Sequence, residues 1–455
     1  MEESGYKSLN LYEGVRGLAV KILNRIDRTD AYLDKMLDIE LKGSELKTND
    51  KALLYEIVHG VIRYLGRIDW VLTGFYKGHF SKCIPNVKNS MRVALYQILF
   101  LDKVPDYAAV NEAVDFVKKL QGEKSANLTN AVLRNIIRNK NGIRYPKRDE
   151  DLAGYLSAYH SHPSWMVKRW LARYGEEFTE NLLKSNNNRP TISLRVNGLI
   201  SNIDETTKLL KSEDITFSKG KYLPNFIKLN RMSNISEWEY FTKGLFSIQD
   251  ESTGFSCYLL DPKPNERVLD LFAAPGGKTS LLADLMKNSG EIVAIDKYES
   301  RLNLLKQNLK RLSITNVKAI EADALEFEDE EKFDKILLDV PCSGLGTISK
   351  KPDIKWRRDI SDIRKLSELQ PRLLEKGASL LKPGGELVFS TCTIEPEENY
   401  NVINEFLKKH KEFELINATN YFEKILVGEN GCLQTYPNIH GIDGAFAAKL
   451  KFKNE

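Results

Sequence analysis

Two cysteines stand where they could act as nucleophiles. Cys392 lies in FSTCTIEPEEN, Phe389 to Asn399, where a short apolar run, Leu387 to Phe389, stops and a Glu-rich segment opens a helix. Cys342 lies in LLDVPCSGLGT, where a second apolar run ends, and Asp339 comes two residues before Pro341. A cysteine placed only for packing sits comfortably inside an apolar run. A reactive thiol belongs at the carboxyl end of a strand, where open α/β sheets put their ligands. Two such thiols beside one carboxylate point to catalysis.

A third strand end precedes them in LDLFAAPGGKTS, Leu269 to Ser280. Ala273, Ala274, Gly276 and Gly277 let a ligand approach the backbone, and the helix that follows offers free N–H groups. The spacing matches neither GxxxxGK[ST] nor GxGxxG, so phosphate-cradling and dinucleotide loops are set aside. The next strand ends at Asp296, 19 residues after Gly277, where a carboxylate can accept from both ribose hydroxyls. The strand after it ends at Asp323, which can take an adenine amino group. Each Asp alone could be a turn residue. In succession, a small-residue loop, an acid and a second acid describe a nucleoside-bearing cofactor without a pyrophosphate, such as S-adenosylmethionine.

These residues need a sheet to position them, and the pattern supplies one. From about Gly244, the apolar runs ERVLDLF, EIVAIDKY, VKAIEAD, KFDKILLDV and GELVFST alternate with helical stretches such as GKTSLLADLMKN, which argues for a parallel, doubly wound sheet. The first ~140 residues read instead as helices with apolar stripes at 3.6-residue spacing. Val15, Leu18, Ala19, Ile22, Leu23 and Ile26 form the first stripe, and Leu128, Val132, Ile136 and Ile137 the last. Between the two halves, PTISLRVN is a strand-like run bearing Arg195, part of a small α+β connector. The expected division is 1–145, 146–236 and 237–455.

The whole chain of 455 residues carries a net charge of only +4, yet from Lys51 to Arg148 there are 17 Lys and Arg against 7 Asp and Glu, a local excess of +10. Such asymmetry suggests a module that contacts a polyanion beside one that does something else. Five scattered cysteines without a CxxC pair argue against a disulfide framework and a structural zinc site, so no metal is expected and a reducing cytoplasm is. MEESGYKSLNLYEGVRG lacks the basic start and apolar core of a secretory leader, and no apolar run approaches the ~20 residues of a membrane span. Nothing points to an obligate assembly, so a monomer is expected.

The paired motifs resemble the RNA cytosine-C5 methyltransferases, whose hallmark is one Pro-Cys and one Thr-Cys motif. AAPGGKT resembles the family's cofactor loop, FSIQDESTG the motif before the first strand, and YPNIHGIDGAFAAKL the closing motif. ALLYEIVHGVIRYL, ALYQILFLDKVPDYAAVNEAVDFVK and LTNAVLRNIIR look like a NusB-type RNA-binding fold, a fusion similar to the Sun/RsmB group that modifies small-subunit ribosomal RNA. HPSWMVKRW and NNNRPTISLRVN resemble that group's linker. Phe272 departs from the pattern, standing where the family commonly has cysteine.

The resemblance implies a multidomain fold: an all-α NusB-like bundle, a small α+β connector, then an α/β Rossmann-like methyltransferase domain. It implies S-adenosylmethionine bound by Phe272, Ala273, Ala274, Pro275, Gly276, Gly277, Lys278, Asp296, Asp323 and Asp339. It assigns the attack on cytosine C6 to Cys392, proton removal and thiol release to Cys342, and contact with N3 to Asp339. The implied partner is 16S ribosomal RNA at a cytosine 967-type site, with Arg63, Arg67, Arg134, Arg138 and Arg195 as candidate RNA contacts. Lys278 is close enough in sequence to the cofactor loop to lower a thiol pKa. Transfer RNA or large-subunit RNA is the alternative substrate, and a NusB-like assembly factor without turnover is the alternative class. A DNA cytosine methyltransferase is disfavoured, because that family takes its nucleophile from the Pro-Cys motif and lacks the second cysteine.

Overall fold

The computed structural model describes residues 12–29, 31–230 and 235–454. The first eleven residues, where the stretch expected to hold no secretory leader begins, lie outside them. The chain divides into two compact units, residues 1–187 with 351–357, and residues 188–350 with 358–455. Among the described residues, no helix is long and apolar enough to cross a membrane.

The first unit is helical. Its principal helices are Gly14–Ile26, Leu33–Lys42, Thr48–Arg63, Leu65–Phe75, Pro85–Phe100, Asp106–Arg138, Leu152–His160, Ser164–Tyr174 and Glu176–Asn186. The apolar stripes line one core, in which Ala19, Leu54, Ile57, Val61, Met91, Val117 and Leu133 are buried. Each fully buried Leu or Ile of this kind contributes about 1.5–3 kcal/mol. The stripe that begins at Leu128 shares the single span Asp106–Arg138 with Val110, Ala113 and Val117, and the span is broken at Gly122, whose φ of 79° is a left-handed conformation that no helix interior adopts.

One element of this unit comes from much later in the chain. Within 351–357, Lys355 donates to the Arg63 carbonyl at 2.7 Å and to Asn187 Oδ1 at 3.1 Å. Trp356 Nε1 donates to the Ile62 carbonyl at 2.7 Å. A division into consecutive stretches does not anticipate this, because the bonds join residues 168 to 294 positions apart.

The second unit holds two sheets. The smaller is antiparallel, formed by β1 (Ile192–Val196), β2 (Phe217–Lys219), β3 (Phe226–Leu229) and β4 (Phe246–Ile248) in the order β2-β3-β1-β4. The larger contains β5 (Arg267–Asp270), β6 (Glu291–Asp296), β7 (Val317–Glu321), β8 (Phe333–Asp339), β9 (Leu381–Thr391), β10 (Phe413–Ile416), β11 (Leu433–Gln434) and β12 (Phe446–Phe452). Its order is β10-β12-β9-β8-β5-β6-β7, with β11 paired to β12. The five foreseen strands, β5 to β9, pair in parallel. The structure adds β10, β11 and β12, and β12 runs antiparallel to β9. Both faces of β5, β6, β8 and β9 are largely covered, which is why they read as apolar runs, while the edge strand β7 leaves Lys318 and Glu321 exposed. Leu337 and Val388 pack on one face, while Ile336, Leu338, Leu387 and Phe389 pack on the other.

Candidate active site

The carboxyl ends of β5 to β9 carry the residues singled out from the sequence, with Asp323 two residues past the end of β7. The chain order turns back at β5, with β6 and β7 on one side and β8 and β9 on the other. A doubly wound sheet opens its ligand crevice at such a reversal.

After β5 the chain turns through Phe272–Pro275 to Gly276, and the helix Gly277–Leu285 follows. Gly276 has φ 105°, and a Cβ there would meet the Leu305 side chain. Asp270 holds this turn closed. It accepts from Thr279 Oγ1 at 2.8 Å and from the Phe272 N–H at 3.4 Å. Phe272 is half-buried and packs its ring against the apolar layer containing Leu271 and Val293, so the side chain that replaces the expected cysteine is accommodated as a hydrophobe.

Asp270 also gives the loop a pH dependence. Burial pushes its carboxyl up to about 6, against the pull of the Thr279 hydroxyl, and Asp339 adds to the rise. With the folded pKa above the unfolded one, the native state binds the extra proton, so stability is lost as pH rises from about 4 to about 6. Asp270→Asn removes the ionisation, and the Thr279 hydroxyl can turn to the Ala273 carbonyl 3.3 Å away. We expect the variant to flatten that loss, on the order of 3 kcal/mol, in melting temperatures recorded from pH 4 to 7. A wild-type slope retained in the variant would assign the titration to another group.

Asp296, at the end of β6, is buried and accepts from the Tyr298 N–H at 3.1 Å. Arg301 pairs with its other oxygen at 2.9 Å and donates to the Ala274 carbonyl at 2.7 Å, tying the β6 end to the cofactor loop. Sequence reading passed over Arg301 and Asp270. The signal for Arg301 was a cation one helical turn into the segment after a strand-end acid. Asp323 accepts from the Leu325 N–H at 3.0 Å and pairs with Lys297 at 2.9 Å.

Asp339, at the end of β8, forms an ion pair with Lys278 and accepts from Ser390 Oγ at 3.0 Å. Burial works against the Lys278 charge, but Asp339 outweighs it and the ammonium's pKa is raised. Lys278 therefore stays a cation, and its direct partner is Asp339.

The two thiols meet. Cys342 Sγ lies 3.2 Å from Cys392 Sγ and accepts from the Cys392 N–H at 3.3 Å. The Cys392 sulfur and burial push the Cys342 thiol well above the ordinary cysteine range. Both side chains are half-buried. Cys257 and Cys432 are fully buried, and burial pushes each up to about 12, as for inert core thiols.

Two of the arginines expected at RNA are buried instead. Arg195 donates to Gln249 Oε1 and Ser280 Oγ, both at 2.7 Å, and pairs with Asp284 at 3.4 Å. It ties the small sheet to the helix after the cofactor loop and offers no surface to a phosphate. Arg63 is only 4% exposed, packed at the end of Thr48–Arg63. Periodicity placed both on elements, but only the packed neighbours decide which face is covered. Arg67 is half-buried against Phe100, Tyr145 and Tyr159, while Arg134 and Arg138 are exposed.

Comparison with known proteins agrees with this architecture. The family model for 16S rRNA methyltransferase RsmB/F matches residues 257–451, that of the NusB family residues 13–138, and that of the RsmF/B-like ferredoxin-like domain residues 162–236. A Bacillus subtilis protein named "Probable ribosomal RNA small subunit methyltransferase B" is 36% identical, across 96% of this chain and 99% of its own. The chain belongs to the ribosomal RNA small subunit methyltransferase B family. The Vibrio vulnificus member is 33% identical over 96% of this chain and 99% of its own. Among solved structures, PH0851 superimposes with a TM-score of 0.81 at 30% identity, covering 96% of this chain and 99% of its own. A methyltransferase homolog protein from Pyrococcus horikoshii is 36% identical with a TM-score of 0.57, over 65% of this chain and 97% of its own.

As a member of this family the enzyme depends on S-adenosylmethionine, and the residues present fit that group. Asp296 has one oxygen, Oδ2, that pairs with the Arg301 cation and accepts no hydrogen bond among the described residues, leaving acceptor capacity for a ribose hydroxyl. The small-residue loop and the start of Gly277–Leu285 provide close backbone approach and N–H groups.

Proposed function

We propose that the protein transfers a methyl group to C5 of a cytosine in small-subunit ribosomal RNA, at the cytosine 967-type site, through a covalent bond between Cys392 and C6. The observation that carries this reading is the pair of thiols 3.2 Å apart at the ends of adjacent strands, next to the Lys278–Asp339 ion pair. Family membership supports the choice of RNA.

C5 of cytosine is a weak nucleophile. Addition of the Cys392 thiolate to C6 makes the ring an enamine whose C5 can attack. S-adenosylmethionine supplies the electrophilic methyl group, held by the 272–278 loop, Asp296 and Asp323. Asp339 faces N3 and limits charge build-up on the ring, while Lys278 keeps that carboxylate oriented. After transfer Cys342 takes the C5 proton and passes its own to the departing Cys392 sulfur, directly or through water, while the C–H electron pair re-forms the C5–C6 double bond as the C6–S bond breaks. The thiol geometry suits this division of roles, since the Cys342 sulfur lies 3.2 Å from Cys392 Sγ, beside the bond that Cys392 makes and breaks.

The base must leave its stack to reach both sulfurs, so the site is single-stranded or locally opened. Arg134 and Arg138, exposed on Asp106–Arg138, are proposed as phosphate contacts. Arg67 is proposed as a third, its Nε fixed by Tyr145 at 3.0 Å.

The test is methyl transfer to small-subunit RNA transcribed in vitro, followed by nucleoside analysis. We expect 5-methylcytidine at one position, and none in transfer RNA or large-subunit RNA. A different methylated nucleoside sinks the chemistry, and a different RNA sinks the substrate. Arg134→Ala with Arg138→Ala is expected to lower the slope of log affinity against log salt by roughly 1–2 while leaving the modified position unchanged. An unaltered slope would remove both arginines from the interface.

A further inference from the structure

Both cysteine loops converge on one buried carboxylate that the chemistry above does not use. Glu398 lies six residues after Cys392 and is fully buried. Its Oε1 accepts from the Ser343 N–H at 2.7 Å and from Gln370 Nε2 at 3.3 Å. Its Oε2 accepts from Ser343 Oγ at 2.5 Å. Gln370 Nε2 also donates to the Pro341 carbonyl at 2.9 Å. Both neighbours of Cys342 in the chain, Pro341 and Ser343, are thus held by Glu398 and its partner Gln370.

The other loop is tied to the same point. Ser343 Oγ lies 2.8 Å from Thr393 Oγ1, next to Cys392. Asn399, adjacent to Glu398, accepts from Thr391 Oγ1 at 2.5 Å and donates to the Thr393 carbonyl at 3.0 Å. Ser343, Gln370, Thr393 and Glu398 are each 0% exposed. A buried carboxylate that accepts several hydrogen bonds at once holds its partners in one geometry, because any of them left unpaired would be costly.

We propose that Glu398 is a positioning residue that sets the separation of the two thiols, by clamping the Pro-Cys loop against the Thr-Cys loop through Ser343. This rests on the reading that both thiols do the chemistry. It adds that their 3.2 Å approach is imposed from below by a group that touches neither sulfur nor substrate. Burial raises the Glu398 pKa, in keeping with a carboxylate held away from water.

The test uses two readouts on the full-length protein. The first is bridging by phenylarsine oxide, in which two thiol protons and the arsenic-bound oxygen leave as water and one arsenic(III) joins both sulfurs. It requires neighbouring thiols and neither RNA nor cofactor, and peptide mass mapping reports whether Cys342 and Cys392 are the pair. The second is methyl transfer, separated into kcat and KM for RNA.

Wild type and Glu398→Gln, which keeps an acceptor for the Ser343 N–H, are expected to be bridged, with Glu398→Gln within about tenfold of wild-type kcat. Glu398→Ala is expected to bridge at least about tenfold more slowly and to lose about 100-fold in kcat with KM within about threefold, as small misplacements of reacting groups do. Glu398→Ala that bridges at the wild-type rate, or turns over within about threefold of wild type, overturns the proposal. If Glu398→Ala does not fold, Ser343→Ala decides. It removes only the hydroxyl arm, and a smaller loss in both readouts supports the clamp while no change in either overturns it. Absence of methyl transfer in the wild type would refute the proposed reaction and leave the bridging result standing.

Discussion

Cys392→Ala is expected to abolish methyl transfer, a loss of about 10⁴-fold or more, while S-adenosylmethionine binding stays within about twofold of wild type. The size of the effect follows from the chemistry. Without addition at C6 there is no enamine, and C5 has too little nucleophilicity for the remaining groups to compensate. The Cys342 thiol, 3.2 Å away, does not substitute, because it follows the neighbouring strand β8 and not β9. Cofactor binding is spared because the 272–278 loop and Asp296 sit at the ends of β5 and β6, and Cys392 follows β9. The measurement is transfer of labelled methyl to small-subunit RNA, with calorimetric titration of the cofactor alongside. Activity within about tenfold of wild type would place the nucleophile elsewhere.

Cys342→Ala is expected to do something different. Attack by Cys392 and methylation proceed, but nothing takes the C5 proton at the required position, so the methylated RNA stays joined to Cys392. The expected result is an RNA–protein adduct stable in denaturing detergent, with multiple turnover reduced about 10³-fold or more. The adduct should vanish in the Cys342→Ala, Cys392→Ala double variant. Sequencing the attached RNA would identify the modified site. Turnover at the wild-type rate without adduct would show that release proceeds without Cys342. An adduct that survives in the double variant would mean that another residue is the nucleophile.

Several of these expectations were legible in the sequence because their signals are local. A strand that stops on Cys392 or Asp339, a Gly-Gly-Lys turn after an apolar run, and an acid 19 residues beyond Gly277 are each written within a short stretch. The parallel strands are likewise visible, since a strand covered on both faces has no polar alternation to confuse it. The antiparallel β10 and β12 were not read as strands. Lys449 and Lys451 interrupt FAAKLKF, and Lys449 is buried because its ammonium reaches Glu386 at 2.9 Å and Tyr421 Oη at 2.7 Å. A charge that finds its partners in distant parts of the chain looks, from the sequence, like a surface position.

The basic residues divide in the same way. Charge counting located the excess between Lys51 and Arg148, and that is a property of composition. It could not say that Arg63 is covered or that Arg195 is held among Gln249, Ser280 and Asp284, because those partners lie 54 to 89 positions away. The same holds for Lys278, whose sequence neighbours suggest the cofactor while its ion pair is with Asp339.

By itself the sequence determined the kinds of residue at each strand end, their order along the chain and the helical periods of the first unit, since these depend only on neighbours a few positions apart. Tertiary structure alone decided that two thiols 50 positions apart approach to 3.2 Å. It also decided that Glu398 holds both their loops, and that the segment 351–357 completes the helical unit. Each of these is a contact between distant parts of the chain, made only when the sheet places β8 beside β9 and the buried polar groups find partners they cannot do without.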